Sequence, residues 1–487
     1  MTLALIAAVA LLGADRPFKV KVVDDRTGRG VPLVELRAVD NTSFYTDSAG
    51  VIAFDEPGLI GVSTYYHIKS HGYEYPADGF GYRGVRVTTS PGGSMAVKLR
   101  RMNVAERLYR VTGGGIYRDS VLVGDPVPIA RPLLNAQVVG SDSVLNAVYG
   151  GKLWWFWGDT NKPGYPLGNF HTPGATSRLP ADGGLDPDVG VDLEYLVDDT
   201  GFARPTAELP GPGPTWLFGL TVLRADGRER MFAGYSKIRG MLEAYERGLA
   251  EFDPAARRFR VASTFPKGTR AYPDGHATIR TDGYVYYSIP FPVTRAPATP
   301  EALADASRFE VYHCLKPDGT VDVGPDGSAR YAWRTGVAPP TSKAIAALIA
   351  SHPTLKIANP LALRDASTGK VVHAHTGSTE WNAHRRRWTL IAVQEGGTSA
   401  LGEVWYAEAD DPLGPWGPAV KVVTHDDYSF YNPRQHPEFA KDGGRVVYFE
   451  GTYTATFSGN RHPTPRYDYN QIMYKLDLDD PALRAAR

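Results

Sequence analysis

The chain has 487 residues, of which 43% are hydrophobic, so it can bury a large core and is long enough for more than one domain. Its 53 basic and 53 acidic residues cancel, and no long basic run occurs, which argues against nucleic acid as the main partner. The single cysteine, Cys314, excludes an intramolecular disulfide and a multi-cysteine zinc site. It lies in the strand-like stretch "FEVYHCLKPDG", which favours a structural role over a nucleophilic one.

The N-terminus carries one apolar run, about residues 3–12. This run is too short to span a bilayer but suits the core of a signal peptide, which we place at residues 1–14. No basic region precedes it, so the start of the first domain's own structure stays open as the alternative. No other segment is apolar enough to cross a membrane, and we therefore expect a secreted or periplasmic protein without membrane insertion.

Residues 17–104 consist of short alternating segments separated by turn signals, which predicts a small β-sandwich. The segments are "FKVKVVD", "VPLVELRAVD", "SFYTDSAGVIAF", "RGVRVTT" and "SMAVKLR". The stretch "TGRGVPLVELRAVDNTSFYTDSAGVIAF" resembles the transthyretin-like or carboxypeptidase-regulatory-like sandwich module. That resemblance implies an accessory domain that does not carry the chemistry.

From residue 105 to residue 487 a different pattern repeats, in which a strand meets a tight turn and an aromatic-rich strand follows. The copies are "SVLNAVYGGKLWWFWGD", "WLFGLTVLRADGRERMFAGY", "HATIRTDGYVYYSIPF", "HTGSTEWNAHRRRWTLIAV" and "HPEFAKDGGRVVYFEGTY". Third and fourth strands follow several copies, so the pattern predicts an all-β protein, a five-bladed β-propeller preceded by the sandwich. Two stacked β-sandwiches are the alternative. Residues 341–352 are expected to form an inserted helix, and residues 106–114 an outer strand that closes the last blade.

Two aspartates mark the ends of the first copy. A two-residue turn at Gly150-Gly151 fixes the hairpin register, which places Asp142 directly opposite Asp159 at the open end. Cross-strand partners have Cβ atoms about 4.5–5.5 Å apart. A close carboxylate pair raises one pKa, so that one group can hold a proton near neutrality while the other stays ionised. Turn capping or simple solvation of one aspartate is the alternative interpretation.

In the other copies we look for ionisable residues at the distance from the turn at which Asp142 and Asp159 lie in the first copy. These residues are expected to face one funnel mouth. Glu380 falls near the opposite end by this offset and is set aside. A lone histidine is more often structural, but convergence of several copies favours a polar site. The selected residues are Lys237 in the second copy, Asp274 and His276 in the third, His375 and Glu395 in the fourth, and Arg434, His436 and Glu450 in the fifth.

The motifs "GSDSV", "YGGKLWWFWGDT" and "EVWYAEADDPLGPW" resemble five-bladed propeller glycoside hydrolases, a group that includes arabinanases, furanosidases, β-xylosidases, invertases and D-arabinan-degrading enzymes. The resemblance covers roughly residues 135–475. It implies hydrolysis of glycosidic bonds in a carbohydrate, with Asp142 as base or nucleophile and Asp159 as its partner. The family's acid has no clean match here. Asp274, Glu395 and Glu450 are the nearest substitutes.

Two stereochemical outcomes stay open at this point. An acid–nucleophile pair at about 5–5.5 Å would retain the anomeric configuration, whereas an acid across the funnel at about 6.5–9.5 Å would invert it. The aromatic residues Trp157, Tyr272, Tyr431 and Tyr453 either stack on sugars or pack the blades.

Two other functions compete with hydrolysis: a non-catalytic carbohydrate-binding or protein-binding propeller, and a different reaction on the same architecture, namely a phosphorylase or a polysaccharide lyase that uses histidine and tyrosine. No cofactor is predicted. Calcium stays open as a ligand, since Asp and carbonyl groups ring the funnel, but no EF-hand-like loop occurs.

Overall fold

A computed structural model describes residues 16–240, 242–280 and 282–486. The predicted signal peptide, residues 1–14, lies outside the described residues. In the described part, β-strands dominate and helices are few and short, as expected for an all-β chain. No helix in these ranges is long and apolar enough to cross a membrane.

The region up to residue 101 forms two four-stranded sheets, here called the N-terminal sheets. Inward residues of both sheets, among them Val22, Leu36, Ile68 and Leu99, share one buried core. Buried and half-buried residues alternate along Phe18–Asp24, because successive side chains of a strand point to opposite faces. Every second residue of this strand therefore faces the shared core. In sheet order the strands are Val51–Phe54, Phe18–Asp24, Ser94–Arg101 and Tyr73–Glu74, then Ser43–Tyr45, Glu35–Ala38, Ser63–Lys69 and Gly84–Thr88.

The rest of the described chain contains five further sheets of four or five antiparallel strands, here called the first to fifth sheets. The first three comprise Val144–Tyr149, Lys152–Trp157, Gly174–Ser177 and Glu194–Tyr195; Thr215–Ala225, Arg228–Arg239, Glu243–Asp253 and Arg258–Thr264; and His276–Ile279, Tyr284–Ser288, Thr294–Pro297, Glu310–His313 and Ala332–Arg334. The last two comprise Ala374–Asn382, Arg387–Gln394, Val404–Ala409 and Val420–Val423; and Ser429–Gln435, Val446–Thr454, Asn470–Asp477 and Glu106–Arg110. Smaller pairings join Gly140–Ser141, Thr160–Lys162 and Tyr165–Asn169, and also Leu363–Arg364 and Val371–Val372.

The first strands of the five sheets contact one another in a closed cycle. Val144–Tyr149 contacts Thr215–Ala225 on one side and Ser429–Gln435 on the other, and the remaining first strands complete the circuit. The fifth sheet takes its outer strand from Glu106–Arg110, where Ile472 pairs with Arg110. This confirms the expected outer strand, which joins the two ends of the repeating region.

The helices are short. The expected inserted helix between the third and fourth sheets is confirmed as Ser342–Ser351. Thr341 caps its N-terminus, because the Thr341 hydroxyl accepts from the N–H of Ala344 at 3.0 Å. Within the described ranges, the other α-helices are Arg118–Leu122 and Pro300–Leu303. The short 3-10 helices are Pro57–Leu59, Pro180–Asp182, Ala306–Arg308, Pro437–Phe439, Asp442–Gly444 and Pro481–Ala486.

Candidate active site

The Gly150-Gly151 turn sets the register that brings the two aspartates together. Both glycines have positive φ, 57° and 73°, the backbone conformation that a two-residue hairpin loop needs. Tyr149 pairs with Lys152, and the same register continues to the strand ends. The N–H of Asp142 therefore donates to the carbonyl oxygen of Asp159 at 2.9 Å, which confirms the predicted pairing.

A cavity of about 220 Å³ opens beside this pair. Each of the five sheets contributes to its wall, so the cavity lies where the first strands meet. Aromatic rings and a few polar groups dominate the wall, a combination typical of small-molecule sites. The lining residues are Asp142, Ser143, Val144, Leu145, Phe156, Trp157, Gly158, Thr172, Trp216, Leu217, Phe218, Gly275, His276, Ile289, Thr376, Gly377 and Asn432.

The Asp142 carboxylate is held by several donors. Its Oδ1 accepts from the hydroxyl of Tyr431 at 2.5 Å, from the N–H of Ser143 at 2.5 Å and from the Ser143 hydroxyl at 2.9 Å. Burial and the Asp142 charge hold the pKa of Tyr431 well above its ordinary value, so this hydroxyl keeps its proton and donates. Burial and both aspartates likewise raise the pKa of Tyr469. These donors orient Asp142 and complement a negative charge on it.

Asp159 lies in different surroundings from Asp142. Burial, with the neighbouring Asp142 charge, raises the pKa of Asp159 to about 6. The indole N–H of Trp216 donates to Oδ1 of Asp159 at 3.3 Å and works in the opposite direction, because it favours the ionised form. Trp216 lines the cavity, so one side chain touches both the cavity and the carboxyl that can hold a proton near neutrality.

The third sheet brings a second carboxyl of this kind near the cavity. Burial raises the pKa of Asp274 to about 6, although the N–H of Gly275 and the charge of Arg247 oppose the shift. His276 follows two residues later and lines the cavity. Burial and the positive charges of Arg434 and His436 hold the pKa of His276 well below its ordinary value, so its ring is neutral at pH 7.

A buried polar network lies among the first strands. Arg434 donates to Glu380 at 2.6 Å and to the side-chain oxygen of Asn146 at 3.2 Å. Asn146 also contacts His436 at 3.0 Å. Burial raises the pKa of Glu380 against the opposing charge of Arg434. The network thus links residues of the first, fourth and fifth sheets through one charged pair.

His436 also belongs to this buried network and contacts two carboxylates. Its ring nitrogens lie 3.2 Å from Glu438 and 3.2 Å from Glu450. Burial would lower the pKa of His436, but the two carboxylates outweigh burial and raise it. Glu450 is fully buried beside this ring and is not among the residues that line the cavity.

The fifth sheet departs from the expected geometry. Its first strand begins at Ser429, ahead of Arg434, and the register shifts between Tyr431 and Arg434. Asn432 sits at this irregularity with φ of 52° and lines the cavity. Because this strand extends back to Ser429, Arg434 and His436 lie deeper along it, in the buried network, and Asn432 lines the cavity instead.

Three other residues selected from the sequence lie elsewhere. Glu395 is exposed and pairs with Lys343 of the inserted helix at 3.1 Å. His375 is exposed next to Thr376, a residue that lines the cavity. The Nζ of Lys237 is buried and donates to Leu209 O, Gly213 O and Thr215 Oγ1 at 3.1, 3.0 and 3.1 Å, so its three N–H groups are all used within the second sheet and the loop before it.

One residue of the site escaped the sequence reasoning. Trp216 was missed because the offset rule selected ionisable residues only, although "TWLFG" places it at the start of the second copy. Glu380, which the offset placed away from the mouth, is not among the residues that line the cavity and pairs with Arg434 of the neighbouring sheet. In the described ranges no group of three or more His, Cys, Asp or Glu side chains is arranged to hold a metal ion.

Comparison with known proteins gives distant structural likenesses. No family model and no curated protein matches the chain. A Bacteroides ovatus protein described as a hydrolase is 14% identical, with a TM-score of 0.42, over 70% of this chain and 86% of that one. An exo-β-1,3-galactanase from Phanerochaete chrysosporium is 11% identical (TM-score 0.35; 70% and 61% covered), and an exo-1,5-α-L-arabinanase from a bovine ruminal metagenomic library is 10% identical (TM-score 0.35; 71% and 95% covered). These likenesses are too distant to assign a reaction to this chain.

Proposed function

We propose that the chain is a glycoside hydrolase that cleaves a poly- or oligosaccharide, furanosidic substrates included, at the cavity beside Asp142. The observation that carries the proposal is the pairing of two unlike carboxyls. Donors surround Asp142, whereas burial and the Asp142 charge raise the pKa of Asp159 to about 6. Glycosidic bond cleavage needs one carboxyl that donates a proton and another that acts as a charged base or nucleophile.

The roles follow from these environments. Asp142 acts as the base or nucleophile, because its carboxylate reaches the cavity and is oriented by Tyr431 and Ser143. Asp159 holds the proton for the leaving oxygen, and Trp216 offers a ring on which a sugar can stack while its N–H holds Asp159. Asp274, with a pKa raised to about 6, is the competing proton donor across the cavity.

The architecture proposed to support this reaction is a five-bladed β-propeller of residues 105–487 preceded by a β-sandwich of residues 17–104. The closed cycle of first strands and the shared last sheet support the propeller. The shared core of the N-terminal sheets supports the sandwich. Export to a secreted or periplasmic location is proposed from the apolar N-terminal run alone, and N-terminal sequencing of the expressed protein tests it.

A glycan panel tests the function. The purified chain is incubated with plant, algal and bacterial polysaccharides, and reducing ends are measured for the wild type, Asp142→Asn and Asp159→Asn. We expect wild-type turnover and its loss in both variants, by about 10²- to 10⁴-fold for a group that transfers the proton. Glycan binding without wild-type turnover would instead favour a carbohydrate-binding protein. An unsaturated, ultraviolet-absorbing product would favour a lyase.

Aryl glycosides separate the two roles. A nitrophenolate leaving group departs without a proton, so Asp159→Asn should recover much of the rate on such a substrate, while Asp142→Asn should not. The anomeric configuration of the first product, followed by NMR, gives a further distinction. Retention fits a neighbouring pair, and inversion fits an acid across the cavity such as Asp274.

A further inference from the structure

A short segment, residues 464–471, touches the N-terminal sheets on one side and the backbone around Asp142 on the other. On the first side, the hydroxyl of Tyr467 donates to the carbonyl oxygen of Thr46 at 2.7 Å and accepts from the N–H of Leu33 at 3.1 Å. The ring is buried, and the guanidinium of Arg110 lies 4.8 Å from its centre. Tyr467 therefore fastens the segment to the N-terminal sheets.

The other side of the segment holds the chain at the candidate catalytic residue. The carbonyl oxygen of Tyr469 accepts from the N–H of Ser141 at 2.8 Å. The side-chain amide of Gln471 donates to the carbonyl oxygen of Asp142 at 2.6 Å. The Tyr469 hydroxyl lies close enough to Asp142 that burial and the Asp142 charge raise the pKa of this tyrosine. Only Asp468 lies between Tyr467, the anchor on the N-terminal sheets, and Tyr469, which contacts the chain around Asp142.

The backbone of this segment needs external support. Arg466 and Tyr469 have φ of 63° and 59°, a left-handed backbone conformation that residues other than glycine rarely adopt. Such residues persist where their surroundings hold them. Arg466 pairs with Asp119 at 3.3 Å, and Asp119 accepts from the N–H of Ala53 in the N-terminal sheets at 3.0 Å. Arg466 and Tyr467 therefore each tie the segment to the N-terminal sheets.

We propose that Tyr467 is a positioning residue, through which the N-terminal sheets place Tyr469 against Asp142. The N-terminal region is then part of the working site and not a separately tethered module. This inference rests on the proposed function in one respect, namely that Asp142 is the carboxylate that reacts.

The first test removes only the anchoring hydroxyl. Tyr467→Phe keeps the ring in its buried place, so the fold should persist. Without its two hydrogen bonds the segment relaxes and Tyr469 shifts from Asp142. We expect kcat to fall about 10- to 100-fold, the range that a misplacement of about 1 Å can cause. KM should stay at the wild-type value, because Tyr467 is not among the residues that line the cavity.

A double-mutant cycle separates positioning from a general structural role. If Tyr467 acts through Tyr469, then Tyr467→Phe should cost little in a Tyr469→Phe background, and the two effects on kcat should not add. Additive effects, or a wild-type kcat in Tyr467→Phe, would overturn the proposal. The control is Lys19→Met, which breaks another contact of the N-terminal sheets, the Lys19–Asp125 pair at 2.5 Å, and should leave kcat unchanged.

Amide hydrogen exchange gives a readout that does not depend on turnover. In Tyr467→Phe the Ser141 amide should exchange faster than in the wild type, because its acceptor, the Tyr469 carbonyl, is less firmly held. It should exchange at the wild-type rate in Lys19→Met. Unchanged exchange at Ser141 in Tyr467→Phe would contradict the coupling. If the wild type cleaves no glycan while Ser141 exchange still responds, the proposed reaction fails and the coupling stands.

Discussion

The N–H of Asp142 donates to the carbonyl oxygen of Asp159 at 2.9 Å, across the open end of one hairpin. This contact holds two carboxyls side by side in unlike surroundings. Tyr431 and Ser143 surround Asp142 with donors, whereas burial and the charge of Asp142 raise the pKa of Asp159 to about 6. Carboxyls whose surroundings separate their protonation in this way are typical of acid–base pairs.

Replacing the charged member of the pair should stop the reaction without removing the site. Asp142→Asn keeps the shape of the side chain but loses its charge, so we expect kcat to fall by about 10²- to 10⁴-fold. Glycan affinity, measured by calorimetry, should persist. Asp226→Asn is the control, since Asp226 is exposed in a turn of the second sheet and should keep wild-type kcat. Full activity of Asp142→Asn would rule out its role.

The pH dependence of the rate should report Asp159. If this carboxyl donates the proton, activity falls as pH rises through about 6, where Asp159 ionises. The indole of Trp216 favours the ionised form, so Trp216→Phe should move this alkaline limb to higher pH. A limb that stays in place in Trp216→Phe and moves in Arg247→Met would assign it to Asp274 instead, because the Arg247 charge lowers the pKa of that carboxyl.

The raised pKa of Asp159 should lower the free energy of unfolding at neutral pH. Folding raises its pKa from 3.8 to about 6, so the folded state binds the proton more tightly than the unfolded state. The free energy of unfolding therefore falls as pH rises between these two values and is level above them. Asp159→Asn has no carboxyl to ionise, so it should not show this fall in the free energy of unfolding. Its Tm should exceed that of the wild type at pH 7, and the difference should vanish below pH 3.8. A difference independent of pH would contradict the assignment.

Breaking the buried ion pair of Arg434 and Glu380 should lower the free energy of unfolding more than breaking an exposed ion pair. Arg434→Met leaves the Glu380 carboxylate buried without its cation and should lower the free energy of unfolding by about 3–5 kcal/mol. The double variant Arg434→Met, Glu380→Leu should recover much of this loss, since no charge is left unpaired. Urea unfolding measures both. The matched control is Arg239→Met, which breaks the exposed Arg239–Glu243 pair and should leave stability unchanged.

Local rules explain why the aspartate pair could be predicted from the sequence. A two-residue turn with two glycines of positive φ admits one register, and the register alone decides which residues face each other. The inserted helix and the closing strand were likewise predictable, because each depends on a pattern within its own segment. Asp142 and Asp159 needed no information from other parts of the chain.

The rest of the site depends on contacts between sheets, which the sequence pattern does not contain. The first strand of the fifth sheet begins at Ser429, farther from its turn than the offset assumed, so counting from the turn misplaced Arg434 and His436. Glu380 belongs to the buried network only because Arg434 of the next sheet reaches it. Contacts between neighbouring sheets, not spacing along the chain, select these partners.

The account is tested most directly by the turnover rate of Asp159→Asn, with Asp274→Asn beside it, on the glycan that the wild type cleaves fastest. We expect Asp159→Asn to lose about 10²- to 10⁴-fold in kcat and to lose the alkaline limb near pH 6 together with it. Asp274→Asn should retain that limb. A wild-type rate and an unchanged alkaline limb in Asp159→Asn would contradict the proposal that Asp142 and Asp159 work as a pair.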